Sequence, residues 1–213
     1  MQYLPNLERM VREEGVEMLP RLSELQIFGV SDLKFPCLPS VEELHAASID
    51  KGASFMEGIV GNMPCLKTLK IDMIKGVVVL PDQLSRLGAL QELDIRRWVD
   101  LEYFSEHVLE GLTSLRTLFI SDCEKLKSLS EGVRHLGCLE SLSISCCPEL
   151  VALPNNMNQL TVLRTVSISH CSTLPYGLQC VPFLRTLNIG DCISLPDWMG
   201  DITSLKRINH FIL

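Results

Sequence analysis

The sequence predicts an α/β solenoid: a stack of short repeats, each giving one strand to a parallel sheet and returning by an irregular or short-helical segment. Three observations predict it. Of 213 residues, 36 are leucine while aromatics make up only 6%, so aliphatic side chains must fill the core. The pattern Leu-x-x-Leu-x-Ile recurs along nearly the whole chain, and its copies are 19 to 25 residues apart. Self-similarity at that period marks a repeat array rather than a mixed domain.

The clearest copies begin at Leu90, Leu115, Leu139, Leu163 and Leu184, with looser ones at Leu22, Val41, Leu66 and Leu205. This is the period of a leucine-rich-repeat horseshoe, with a parallel concave sheet and an irregular or short-helical convex side. In each copy the last two apolar residues are two apart, so on a strand they point to one face and build a continuous core behind the sheet. Two variable residues later comes a fixed position, held by Val30, Ile49, Ile74 and Trp98 and then by Cys123, Cys147, Cys171 and Cys192. The pairs Leu80-Pro81, Leu153-Pro154, Leu174-Pro175 and Leu195-Pro196 end the regular part; proline removes a backbone donor where the ladder has already stopped.

Two stretches depart from the template. Residues 48–65 carry Gly52, Gly58 and Gly61 and lack the Leu-Pro step, which predicts an irregular convex connection. Residues 97–111 contain Ser105-Glu106-His107-Val108-Leu109-Glu110, a short helix opened by a serine cap. No linker or low-complexity tract interrupts the array, so residues 1–213 read as one domain.

Nineteen basic residues against 26 acidic ones give a formal charge of −7, which argues against general attraction to nucleic acid or anionic membranes. No apolar run is long enough to span a bilayer, no signal-like core follows the amino end, and no Asn-x-Ser/Thr acceptor occurs. Nine cysteines cannot all pair internally. These features favour a reducing compartment, cytoplasmic or nuclear.

The catalytic inventory is empty of recognisable motifs. There is no Gly-x-Ser-x-Gly, His-Glu-x-x-His, Gly-x-Gly-x-x-Gly or phosphate-loop sequence. No enzyme activity, cofactor or metal is expected. Cysteines 123, 147, 171 and 192 recur once per repeat, so they should stack as a structural column and not converge on one tetrahedron. Cys146 should face outward and is the expected oxidisable thiol. Trp98 should lie in the core and Trp198 on the last convex return.

The exposed strand positions carry the functional expectation. The residue after the first leucine reads Ser23, Glu42, Lys67, Gln91, Arg116, Glu140, Arg164, Arg185 and Lys206. Five cations of nine in an acidic chain form either a basic edge for an acidic partner or a row of long stems that cover the sheet while their heads stay solvated. Lys70, Arg96, Arg97 and Phe119 lie in the middle of the array. An aromatic beside arginines is the composition of an interface anchor, against the plainer reading of a lone surface aromatic.

The run Gly111 to Leu129, with Cys123, Leu126 and Leu129 in step, resembles the carboxy-terminal repeats of plant nucleotide-binding leucine-rich-repeat immune receptors. So do Cys147-Pro148-Glu149-Leu150 before Leu153-Pro154, and Phe35 to Leu44. The full string is most similar to the subclass with an amino-terminal coiled coil. The resemblance implies non-catalytic recognition of pathogen effectors, or of a host protein they modify, and restraint of the receptor's own nucleotide-binding domain. It also implies a fragment or truncated homologue, since no polar cap is obvious at Met1 and Phe211-Ile212-Leu213 is apolar. The alternative is the substrate-recognition array of a ubiquitin-ligase adaptor, which the Leu-Pro step fits less well and which an F-box segment should precede.

Overall fold

The strand rule, two apolar residues on one face, is applied nine times in a single sheet. The computed structural model describes residues 19–29, 35–171, 174–191, 197, 200 and 202–211. Its main strands are β1 (Glu24–Phe28), β2 (Glu43–Ile49), β3 (Thr68–Ile74), β5 (Glu92–Arg96), β7 (Thr117–Ser121), β8 (Ser141–Ser145), β9 (Thr165–Ser169), β10 (Thr186–Gly190) and β11 (Arg207–Phe211). They form one sheet in chain order, every neighbouring pair parallel. The two short strands β4 (Val79–Leu80) and β6 (Tyr103–Phe104) pair with each other elsewhere.

Register is the same at every step, so equivalent residues stack. Leu118 lies beside Leu142, Leu142 beside Val166 and Val166 beside Leu187; Ile120, Ile144, Ile168 and Ile189 form the next row. All are buried, and each is worth about 1.5–3 kcal/mol in transfer from water. Since one repeat cannot bury its own face, that stability resides mainly in contacts between neighbours.

A left-handed turn lies at the carboxy end of each strand of this sheet from β1 to β10. Ser48, Met73, Arg97, Asp122, Cys146, His170 and Asp191 occupy the same position in successive repeats, all with φ between 45° and 59°. This left-handed turn lets the backbone N–H of Asp122 reach the Ser145 carbonyl and that of Cys146 the Ser169 carbonyl, both at 3.0 Å. It also throws the next residue inward. Ile49, Ile74, Trp98, Cys123, Cys147 and Cys171 are consequently buried in one column; Val30 and Cys192 lie outside the described residues. The thiols of Cys123, Cys147 and Cys171 each donate to the carbonyl two residues back, at 3.5, 3.2 and 3.4 Å. Trp98 fills the same column, and its Nε1–H donates to the Ile71 carbonyl at 3.1 Å.

The convex side differs from expectation in two places. Residues 52–62 are not irregular but form helix α1 (Gly52–Asn62), which buries Phe55, Met56 and Ile59 against the core. The glycines that argue against a helix by propensity have a packing reason at one position. A Cβ on Gly52 would stand 2.4 Å from Val77 Cγ2 and 2.8 Å from Ile74 Cγ1. The second departure is helix α2 (Glu106–Gly111), entered through Ser105. Ser105 makes no side-chain cap; its hydroxyl bonds the Asp82 carboxylate of the previous return instead. The other returns are 3-10 turns at Asp82–Arg86, Glu131–His135, Asn155–Gln159 and Leu178–Cys180. Trp198 lies outside the described residues.

A second parallel ladder runs along the flank. It continues the β4–β6 pair through single bridges from Tyr103 to Ser128, Ser128 to Ala152 and Ala152 to Tyr176. Ion pairs reinforce the stack on that side at one-repeat spacing: Lys75–Asp50 at 2.8 Å, Lys125–Asp100 at 3.0 Å and Lys127–Glu102 at 2.6 Å. Exposed pairs of this kind are each worth about 0–1 kcal/mol, so they hold register more than they supply stability. Among the described residues no helix is long and apolar enough to cross a membrane.

Candidate functional site on the concave sheet

Alternation along each strand leaves every second side chain on the open face of the sheet, where the repeat pattern places no constraint. The first half of that face, β1 to β7, is charged and aromatic. Here Asp94 is the one buried acidic or basic residue among those described, 4% exposed. A carboxylate so placed needs a partner, and Arg96 supplies it through two bonds, Nε to Oδ1 at 2.8 Å and Nη2 to Oδ2 at 2.7 Å. That hydrogen bond raises the Arg96 guanidinium above its usual range. The same guanidinium lies over the Phe119 ring, 4.6 Å from its centroid, in cation–π contact. A hollow of about 270 Å³ opens beside it, lined by Phe28, His45, Lys70, Asp72, Asp94 and Arg96.

The structure brings some predicted residues together and separates others. Arg96 and Phe119 meet. Arg97 sits in the left-handed turn past the end of β5 and reaches back to the Asp72 carboxylate. Lys70 is paired with Glu92 at 2.8 Å. Along the leading edge, backbone bonds link the residues after the first leucine into one ladder, from Glu42 through Lys67, Gln91, Arg116, Glu140, Arg164 and Arg185 to Lys206. Lys67 is thereby placed beside Glu42, which it binds at 2.7 Å, and Arg116 beside Glu140, to which it is also ion-paired. Arg164 instead donates to the Thr161 carbonyl at 2.8 Å and overlies Phe183 at 5.3 Å. Among the described residues Arg185 and Lys206 make no ion pair. Phe28 and Phe183, about half exposed, escape the sequence reading because each falls on a position with no repeat consensus.

The central row of the second half, β8 to β11, is uncharged and small: Ser143, Ser167, Asn188 and Asn209, joined by amide bonds from Asn188 to Ser167 at 2.8 Å and from Asn209 to Asn188 at 2.7 Å.

The thiols require a correction. Cys146 is less open than expected: it is half-buried in its left-handed turn. Burial, the Asp122 charge and the hydrogen bond to that carboxylate all push its thiol above the usual range. Its neighbour Cys147 is pushed higher still by the hydrogen bond with Cys123 and by burial. His170 Nε2 lies 3.1 Å from Asp191 one repeat on, so Cys146, His170 and Asp191 follow one another along the turn column, but a thiol held protonated is no poised nucleophile. Among the described residues Cys37, Cys65 and Cys138 are the exposed cysteines. At neutral pH, iodoacetamide with peptide mapping should label those three first, with Cys146 slower by about tenfold or more. Faster labelling of Cys146 would contradict the geometry. Among the described residues no group of three or more His, Cys, Asp or Glu is arranged to hold a metal.

No family model matches the sequence, and no curated protein is significantly similar to it. Solved structures are. A leucine-rich-repeat protein of Leptospira interrogans matches with a TM-score of 0.61 at 17% identity, covering 91% of this chain and 50% of that one. TLR13, in its complex with the RNA ssRNA13, matches with a TM-score of 0.60 at 16% identity, covering 91% and 36%. The chain therefore spans half or less of the length of these neighbours. Identities so low carry the architecture alone, and that architecture is the leucine-rich-repeat solenoid.

Proposed function

We propose that this chain is a non-catalytic protein-recognition domain of a plant intracellular immune receptor of the coiled-coil, nucleotide-binding class. It acts in the cytoplasm or nucleus, senses a pathogen effector or an effector-modified host protein, and helps to hold the receptor's nucleotide-binding core at rest. The observation that carries the recognition part is the contrast between frame and face. Core rows repeat leucine for leucine, whereas the open face changes from repeat to repeat and concentrates Arg96 on Phe119 within a pre-paired set of charges. A rigid arginine–aromatic anchor with little entropy left to lose is what an interface hot spot requires. The plant-receptor part rests on the Leu-x-x-Leu-x-Ile-x-x-Cys-x-x-Leu-x-x-Leu-Pro string and its irregular period. Two states follow: contacts with the core favour rest, and an effector that binds the same repeats shifts the balance by its differential affinity.

The test is co-precipitation of the chain with the nucleotide-binding core of its parent gene, at low and high salt. Association that weakens with salt is expected. Phe119→Ala should weaken it by about tenfold with the melting temperature little changed, because Phe119 is only half-buried. Absence of association at either salt would overturn the autoinhibitory reading. Arg96→Ala is the poorer probe, since it strands the buried Asp94 carboxylate.

A further inference from the structure

We propose that the leading edge of β9, β10 and β11 docks an acidic segment of a protein partner, with Phe183 as its apolar anchor. This rests on the reading that the repeats bind proteins and says where, and with what chemistry.

The argument is one of subtraction. Read as composition, the leading edge is basic along its whole length; read as a ladder, its first part is neutral. Glu42 offsets Lys67, and Glu140 offsets Arg116. Past Glu140 the edge continues as Arg164, Arg185 and Lys206, bonded rung to rung at 2.9 Å. The next residue, Arg207, adds a fourth cation; it is exposed like Arg185 and Lys206, while Arg164 is half-buried. Among the described residues of that edge no carboxylate follows Glu140; its other positions are Thr161, Thr165, Pro182, Thr186 and Thr203. Four cations in a chain of net charge −7 are a local feature, not background.

The patch is also preorganised. Arg164 is held through Nη1 on the Thr161 and Leu163 carbonyls, at 2.8 and 3.2 Å, with its guanidinium over Phe183. The ring is 51% exposed, so it offers a partner an apolar edge beside a fixed cation. Strands stack about 4.8 Å apart, which places Arg164 and Lys206 roughly 10 Å apart. An extended chain covers that in about three residues. A run of four residues with two or three carboxylates thus matches the cations without bending.

The probe is a fluorescein-labelled heptapeptide of glutamates around one phenylalanine, titrated against the full chain by anisotropy at low and high salt. Binding should weaken with salt. Arg185→Glu with Lys206→Glu should lower affinity by about tenfold or more, and Phe183→Ala by several fold. Lys125→Glu with Lys127→Glu, the same change in net charge on the opposite flank, should alter it by less than about twofold. Equal losses from the two double variants would overturn the assignment, as would absence of peptide binding to the unaltered chain. Single-stranded RNA of equal charge binding as tightly as the peptide would also overturn it, reassigning the edge to polyanions in general. If the peptide fails while the parent core is still captured through Phe119, this inference falls and the recognition reading stands.

Discussion

Trp98→Cys, which installs the residue that the four later copies of the motif carry at that position, should destabilise the protein by about 3–5 kcal/mol. Trp98 is fully buried and heads the largest buried side chains. Its column neighbours are Ile74 before and Cys123 after, so the space that a cysteine leaves cannot be closed by two fixed aliphatic and thiol side chains. The Ile71 carbonyl also loses the Nε1–H donor at 3.1 Å, and an acceptor stranded in the core costs about 1–3 kcal/mol by itself. Partial relaxation keeps the two losses from adding in full. Because a repeat array is coupled neighbour to neighbour, the weakened junction between β3 and β5 should also lower the slope of a urea transition or split it in two. A cost below about 1 kcal/mol would mean that the column tolerates either residue and that the tryptophan has a role outside packing.

The same substitution shows what kind of information the sequence carries. A column of identical residues is legible because it repeats, and so are the strands, the inward rows and the Leu-Pro steps, all fixed by a period of two within a period near two dozen. What is not legible depends on neighbours in the stack. Lys67 and Arg116 look like free cations when the edge is counted, yet the ladder sets Glu42 and Glu140 beside them. Reading that column in order, rather than as five basic residues of nine, is the signal that finds both pairs. Strand alternation would send Cys146 inward with Leu142 and Ile144, but the strand has already ended in a left-handed turn, which buries Cys147 and leaves Cys146 half-buried. Among the described residues of its column only the first, Gly29, is a glycine; Ser48, Met73, Arg97, Asp122, Cys146, His170 and Asp191 do not announce such a turn. Helix α1 is hidden for the converse reason, because its glycines serve close packing while its buried Phe55, Met56 and Ile59 supply the stability. The interface residues are the least legible of all, since exposed positions are where the repeat makes no demand.

The convex returns make their own demand, and Gly111→Ala should reveal it as a loss of about 3 kcal/mol or more. Gly111 ends α2 against the previous return, and a Cβ there would stand 1.8 Å from the Ser85 carbonyl oxygen and 2.5 Å from its carbon. Both are backbone atoms, so no rotamer relieves the clash; the two returns must part, and with them the interface between repeats. Gly132 repeats the device one return later, 2.3 Å from the Glu106 carbonyl oxygen. Alanine ordinarily favours a helix over glycine by about 1 kcal/mol, so the sign of the effect separates packing from propensity. Gly61→Ala provides the contrast. It lies in α1 with open space around its Cβ position, and should leave stability unchanged or raise it by up to about 1 kcal/mol. Thermal and urea unfolding of the two variants side by side checks both. If Gly111→Ala were as harmless as Gly61→Ala, the returns would not be in backbone contact, and the stack would be held by its concave sheet and core rows alone.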